Sequence, residues 1–293
     1  PDGPIDKEAY SRGTSVYLVD RVIPMLPEKL SNNVCSLRPH EEKLTFSAIF
    51  EMDDKGHIVN EWFGKTVIYS DRRFTYEEVQ EIIESKSGEY VDEILVINKI
   101  STLLREKRFA SGAISFETQE VKFILDENFV PTGLYVKERK EAHMLIEDLM
   151  LLANRRVAFH LSKNFTKVPF VYRVHDTPDI QKLEEFGENA KRFGHKLKLD
   201  SPKNISAELN RLMNDIKGKP EQNILESLAI RCMAKAVYTT KNIGHYGLAF
   251  EHYTHFTSPI RRYPDLMVHR ILANVLDNHT LLYANREQLE DKC

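Results

Sequence analysis

Hydrophobic and polar positions follow two different periods along the chain. Between residues 43 and 70, apolar side chains take every second position from Leu44 to Phe50, and a turn at 53–56 precedes a second apolar stretch. This alternation predicts a β-hairpin over 43–70. Two apolar runs around a turn at 126–128 predict a second hairpin over 118–137.

Helical spacing of apolar residues appears after the first hairpin and dominates from about residue 140. Thr75 followed by Glu78 forms a capping box, which predicts a helix start at Thr75. Further helices are predicted over 90–110, 141–162, 179–194, 203–216 and 220–238. Another should begin at Pro264, because proline suits the first turn and Asp265 there is favoured by the helix dipole.

Together these elements predict an α+β fold that is β-rich over 1–139 and helical over 140–293. Residues 1–40 carry five prolines and are interpreted as loop-rich. We expect a mostly antiparallel sheet built from the two hairpins and covered by the helices of 140–278. No internal repeat or Pro/Gly/Ser-rich linker divides the chain.

Composition excludes several classes of protein. The 293 residues carry a net charge of −3, from 41 basic and 44 acidic residues, so a nucleic-acid partner would need a local basic channel. The three cysteines are far apart, which argues against a disulfide framework and predicts a reducing compartment. No apolar run reaches membrane-spanning length and no signal peptide opens the chain, so we expect a cytoplasmic protein. The start without methionine suggests an internal piece of a longer protein.

Candidate chemistry concentrates between His252 and Arg270. Arg261 and Arg262 stand just ahead of a helix start, and guanidinium groups bind phosphate or carboxylate with two-pronged geometry. The alternative is a surface loop whose arginines pair with nearby acids. His252 and His255 have a spacing that could hold metal on a helix, but no third ligand supports this.

Other candidates also keep two interpretations. The run from Arg12 to Tyr17 suits a contact to phosphate and base, or a simple turn into a strand. Tyr76 either anchors a helix on the core or points at a ligand. Glu147 lies in the apolar half of a helix, where a buried carboxylate needs a partner, or else it faces solvent. No phosphate-binding glycine loop, dinucleotide fingerprint or nucleophile elbow occurs. The arginines, hydroxyls and aromatic rings that are present indicate an α+β domain that binds phosphate groups.

The run from Tyr253 to Asp265 resembles the signature of the ribonuclease II / ribonuclease R exoribonuclease catalytic domain, the RNB domain. Further segments resemble the bacterial ribonuclease R branch in the same order. They are 12–17, 23–28, 30–32, 35–37, 146–147, 151–154 and 244–248. The resemblance implies processive degradation of single-stranded RNA from its 3′ end to nucleoside 5′-monophosphates, with Mg²⁺. It also implies a narrow RNA channel between sheet and helices.

The resemblance assigns roles to individual residues. Arg261 matches the catalytic arginine, and Arg262 is expected to contact RNA. Tyr76 and Glu147 match positions that hold the terminal nucleotide and favour ribose, through the 2′-hydroxyl.

Tyr17 and Phe116 match the two rings that clamp the bases at the 3′ end. We expect Arg261, Tyr76 and Glu147 to converge at the closed end of the channel, with the two rings nearby.

One feature departs from the family pattern. In the family the metal ligands are a cluster of aspartates, which we expect upstream of residue 1 of this chain. The RNA-binding domains that flank the family's catalytic domain are not expected within 1–293. We therefore expect an incomplete catalytic domain that acts as part of a longer monomer, on RNA and not on DNA or membranes. The alternatives are a non-catalytic RNA-binding relative and a scaffold without an RNA role.

Overall fold

The computed structural model describes residues 2–115, 120–199, 201–277 and 285–293. Helices and short antiparallel sheets are mixed along these ranges, which confirms the predicted α+β class. The helices are α1 (Pro4–Arg12), α2 (Tyr76–Ser85), α3 (Val91–Ala110), α4 (Glu141–Asn164), α5 (Ile180–Arg192), α6 (Pro202–Ile216), α7 (Gln222–Cys232), α8 (Tyr263–Leu276) and α9 (Arg286–Glu290). A π-helical turn (Lys29–Val34) and a 3₁₀ turn (Tyr246–Leu248) complete the helical set. None of the helices in these ranges is long and apolar enough to cross a bilayer.

The strands of the described ranges form four separate two-stranded antiparallel sheets. They are β1 (Val16–Tyr17) with β2 (Val22–Ile23), β3 (Glu42–Met52) with β4 (Ile58–Tyr69), β5 (Glu120–Leu125) with β6 (Pro131–Lys137), and β7 (Tyr172–Val174) with β8 (Val237–Thr239). Both predicted hairpins exist, but the prediction that they build one common sheet is wrong. The β3–β4 hairpin packs one face on the helical core through Phe46, Ala48 and Phe50. Neither of its strands pairs with β5 or β6.

Two further predictions fail where prolines and β-branched residues were misinterpreted. The start of the chain is a helix, because Pro4 occupies its first position, where a missing N–H costs nothing. The helix predicted over 220–238 ends at Cys232, since Met233 turns to an extended conformation. Val237 belongs instead to β8, which pairs with β7.

Side-chain caps mark the starts of three helices and confirm the capping box predicted at Thr75. The Thr75 hydroxyl accepts from the N–H of Glu78, and the Glu78 carboxylate accepts from the N–H of Thr75. Asp179 and Ser201 cap α5 and α6 through their side chains. These signals depend on residues within one turn of each other, so tertiary packing does not override them.

Two hydrophobic cores hold the helical half together. The first surrounds α8, whose Met267, Val268 and Leu272 are fully buried against α4 and the β3–β4 hairpin. The second lies between α5, α6 and α7, around Phe186 and Leu212. Helix α8 is therefore the fixed element onto which the arginine-bearing loop is built.

Candidate functional site

A buried carboxylate organises the loop that precedes α8. Asp265 has no exposed surface and accepts hydrogen bonds from Nε and Nη2 of Arg262, both at 2.8 Å. It also accepts from the N–H of Ser258 at 2.8 Å. The two-pronged ion pair satisfies both charges within the protein. Arg262 thus has a structural partner, and its assignment to RNA stays a prediction.

A buried amide clamps the same loop from α4. Oδ1 of Asn154 accepts from the N–H groups of Phe256 and Thr257, at 2.8 and 3.2 Å, and its Nδ2 donates to the Tyr253 hydroxyl at 3.3 Å. From α8, Nε2 of His269 donates to the carbonyl of Phe256 at 2.7 Å. These buried hydrogen bonds restrict the backbone conformation of the loop at Phe256 and Thr257.

Hydrogen bonds fix the backbone of Arg261, while its side chain has no partner among the described residues. Its carbonyl accepts from the N–H of Ser15 at 3.0 Å and from the Thr14 hydroxyl at 2.9 Å. The N–H of Tyr263 donates to the carbonyl of Gly13, which stitches the two segments together. The half-buried Arg261 guanidinium has no hydrogen-bond or ion-pair partner among the residues that the structure describes. Its backbone is therefore fixed, and its guanidinium is available to an anion.

Tyr17 extends from the segment that holds Arg261. Ser15 accepts from the N–H of buried Met25 through its hydroxyl, at 2.8 Å, and two residues later the ring of Tyr17 is 62% exposed. The short pairing of β1 with β2 supports this strand. Hydrogen bonds from Thr14 and Ser15 therefore link the backbone of Arg261 to the segment that carries Tyr17. The exposed ring of Tyr17 has room to stack on a base.

Neutral and cationic side chains surround the Arg261 loop. The Tyr238 hydroxyl and Nδ1 of His255 are hydrogen-bonded at 2.7 Å, and the Arg173 guanidinium lies 4.6 Å from the centre of the Tyr238 ring. Burial, followed by the charges of Arg262 and Arg173, lowers the pKa of His255 to about 3. His255 is therefore neutral at physiological pH. A cavity of 580 Å³ opens beside these groups.

The metal interpretation of the two histidines gains no support from this geometry. His252 and His255 lie on a loop, not on a helix. The Nδ1 atom of His252 is hydrogen-bonded to Asn242 at 2.7 Å, and that of His255 to Tyr238.

A second group of candidates lies on α2 and α4. The ring of Tyr76 stacks on His143, with centroids 4.3 Å apart and planes 12° apart. Glu147, one turn further along α4, accepts from Nη2 of Arg139 at 2.5 Å. Tyr76 is 44% exposed. Its ring therefore packs on His143 and not on the hydrophobic core, and a contact between Tyr76 and a ligand stays a prediction.

Adjacent carboxylates on α4 have different tasks. Asp148 is 4% exposed and accepts from Ser101, Arg105 and Arg108 on α3. It holds the two helices together. Glu147 faces solvent with a single partner, so it is the carboxylate of the two that can meet a ligand.

The predicted site residues therefore fall into two groups whose members are linked indirectly. Arg261 and Tyr17 are linked through the segment that carries Thr14 and Ser15, and Tyr76 and Glu147 through His143 on α4. Within the described residues no hydrogen bond, ion pair or ring contact links the two groups, and their convergence stays a prediction. Phe116 lies outside the described residues.

Sequence reasoning missed Asn154, Arg139 and His143. A signal existed for Asn154, because it is a polar residue within the buried stripe of α4 that includes Ala158 and Leu161. Arg139 and His143 carry no comparable local signal, since their importance depends on which side chain each meets.

The chain matches the RNB domain family over residues 1–278. It is 41% identical over 285 residues to ribonuclease R of Aquifex aeolicus, a match that covers 95% of this chain and 40% of that protein. Among solved structures, Mycoplasma genitalium RNase R in complex with ribose-methylated single-stranded RNA has a TM-score of 0.89 and 32% identity. That match covers 100% of this chain and 46% of the Mycoplasma chain.

The fold also occurs in yeast Ssd1, a pseudonuclease, with a TM-score of 0.78 and 21% identity over 99% of this chain and 36% of that one. Fold alone therefore does not separate a nuclease from an inactive relative. The chain spans less than half the length of these relatives. Since the family match runs over residues 1–278, this chain belongs to the RNB domain family.

Proposed function

We propose that the protein containing this chain is a 3′–5′ exoribonuclease that hydrolyses single-stranded RNA processively to nucleoside 5′-monophosphates. The observation that carries the proposal is the Arg261 guanidinium, which has no partner among the described residues while its backbone is held by Thr14 and Ser15. The ribonuclease R relatives support the same reaction class.

In this proposal Arg261 neutralises the charge that develops on the phosphorus-bound oxygens as the last phosphodiester is hydrolysed. The fixed backbone at Arg261 delivers this cation to the end of the loop, where it can stabilise the developing charge. Neighbouring His255 is neutral and contributes no charge of its own. Arg262 is available to RNA only through donors not used by Asp265.

The remaining candidates bind the RNA end. Tyr17 and Phe116 clamp stacked bases, where each stacking contact is worth about 1–3 kcal/mol. Tyr76 and Glu147 hold the terminal nucleotide, with the Glu147 carboxylate accepting from the ribose 2′-hydroxyl. That contact distinguishes RNA from DNA.

Magnesium is proposed as the cofactor, because hydrolysis of a phosphodiester by water is typically activated by metal. The described residues contain no group of three or more His, Cys, Asp or Glu side chains that could hold a metal ion. They do not fit a magnesium centre, and the ligands would have to come from residues outside those described. No step of the present proposal is assigned to the metal.

A non-catalytic RNA-binding protein is the second candidate. It is kept because the described residues contain no metal-ligating group and because the fold is shared by a nuclease and a pseudonuclease. The two candidates agree on RNA binding and differ on cleavage.

The experiment uses the full-length protein with Mg²⁺ and a 5′-labelled single-stranded RNA, sampled over time on a sequencing gel. We expect stepwise shortening from the 3′ end and none of a DNA oligonucleotide. Arg261→Gln should lower the cleavage rate by on the order of 10³–10⁵, by analogy with arginines in phosphoryl transfer, and leave the RNA Kd nearly unchanged.

Arg211→Gln is the matched control, because Arg211 pairs with Glu208 on the exposed face of α6. Cleavage that survives Arg261→Gln, or a wild-type protein that binds RNA without shortening it at any Mg²⁺ concentration, would contradict the proposal. The second result selects the RNA-binding candidate.

We also propose that the protein is a cytoplasmic monomer. The three cysteines Cys35, Cys232 and Cys293 are free thiols, which suits a reducing compartment. Sedimentation equilibrium of the full-length protein tests the monomer.

A further inference from the structure

Arg139 occupies the short connection between β6 and α4. The strand ends at Lys137 and the helix is capped at Lys140, so the arginine lies where the hairpin meets the helix. Its Nη2 atom donates to Oε2 of Glu147 at 2.5 Å, and both side chains are 43% exposed. The guanidinium therefore reaches forward over the first two turns of α4.

A contribution to folding stability does not account well for the Arg139–Glu147 ion pair. Exposed ion pairs contribute little to folding, because water competes for both charges. The buried neighbour Asp148 already joins α4 to α3 through Arg105 and Arg108. The Arg139–Glu147 pair lies within α4 and the connection before it, so it joins no second helix to α4.

The β5–β6 hairpin that precedes Arg139 has little packing of its own. Val121, Phe123, Leu134 and Val136 share one face of the β5–β6 hairpin and are 46% to 66% exposed. Arg139 at its base is held by Glu147 instead. The orientation of the carboxylate and the position of the hairpin base are thereby coupled.

The contact leaves one oxygen of Glu147 available. No donor in the described part of the chain reaches Oε1, while Oε2 is taken by Arg139. His143 stands one turn earlier on the same face of α4 and carries the stacked ring of Tyr76. A sugar lying against Tyr76 would meet the free oxygen of Glu147 on the same side of the helix.

We propose that Arg139 is a positioning residue, which orients the Glu147 carboxylate so that its free oxygen accepts the 2′-hydroxyl of the terminal ribose. The inference rests on the proposed function, in which Glu147 contacts that hydroxyl. Arg139 acts through Glu147 and is assigned no direct contact with RNA. Losing it should therefore weaken the preference for ribose and not binding in general.

The test is a double-mutant cycle in the full-length protein with Mg²⁺. The measured quantity is the ratio of kcat/KM for two RNA oligonucleotides that differ only in a 2′-hydroxyl or 2′-deoxy group on the 3′-terminal nucleotide. Glu147→Gln and Arg139→Gln should each reduce this ratio by about tenfold, the scale of a hydrogen bond to a charged group. The double variant should show no further reduction, because both changes remove one interaction. Arg211→Gln, which also removes an exposed paired arginine, should leave the ratio unchanged.

Three results would overturn the inference. Equal weakening of both substrates by Arg139→Gln, with a shallower salt dependence, would make Arg139 a phosphate contact. A lowered Tm with an unchanged ratio would make it structural. A wild-type enzyme without any ribose preference removes the function that Arg139 is proposed to support. That failure belongs to the proposed function and is seen before any Arg139 variant is measured.

Discussion

Mutation of the two neighbouring arginines of the loop should change the free energy of unfolding by very different amounts. Asp265 is fully buried and the Arg262 side chain is 18% exposed. Arg262→Leu therefore leaves a buried carboxylate that keeps, among the described residues, the Ser258 N–H as its partner. Removing one partner of a buried ion pair typically costs 3–5 kcal/mol, a large share of a total stability of about 5–15 kcal/mol. Arg261→Gln removes a side chain without a described partner, and we expect a change within about 0.5 kcal/mol.

Urea unfolding followed by circular dichroism measures both changes as free energies of unfolding in water. Adding Asp265→Asn to Arg262→Leu should recover part of the loss, because the buried charge is removed together with its partner. Arg211→Gln is the control for removal of an exposed paired arginine and should cost no more than about 1 kcal/mol. If Arg262→Leu costs no more than that control, the structural role derived for Arg262 is wrong.

Three further predictions concern the supports of the same loop. Asp6→Asn should cost about 2 kcal/mol at neutral pH. Burial opposes ionisation of Asp6, but the hydrogen bonds from Arg270, the Asp2 N–H and Tyr263, together with the charge of Arg270, outweigh burial and lower the pKa of Asp6 to about 2. Because the folded pKa lies below the unfolded one, this contribution is complete above about pH 4, and acid titration of unfolding should show it vanishing toward pH 2. Burial lowers the pKa of His245 and His255 to about 3, so stability should fall as pH drops below about 6.5, by about 1.4 kcal/mol per pH unit for each histidine. Urea midpoints at pH 7.5, 6 and 5 check this, and a flat profile contradicts it. Asn154→Ala should cost at least about 2 kcal/mol, since it orphans two loop N–H groups, and should lower kcat while the RNA Kd changes less.

Features that depend on neighbours in sequence were predictable. The capping box at Thr75, the two long hairpins and the first turn of α8 are each determined within a few residues. Where the helix near 232 ends depends on a distant partner, since Val237 joins β8 only because β7 lies beside it. The separation of the two hairpins into different sheets likewise depends on packing against α8 and not on strand pattern.

The candidate site shows the same limit more sharply, because sequence presents chemically equal neighbours. Arg261 and Arg262 are indistinguishable by residue type and spacing, as are the acidic residues Glu147 and Asp148 for most purposes. Folding separates each pair by burying one member with its counter-charge. A charge that remains without a full complement of partners after the fold is satisfied is the one available to a ligand. Of the alternatives left open from sequence, pairing with a nearby acid therefore holds for Arg262, while a phosphate contact at Arg261 stays a prediction.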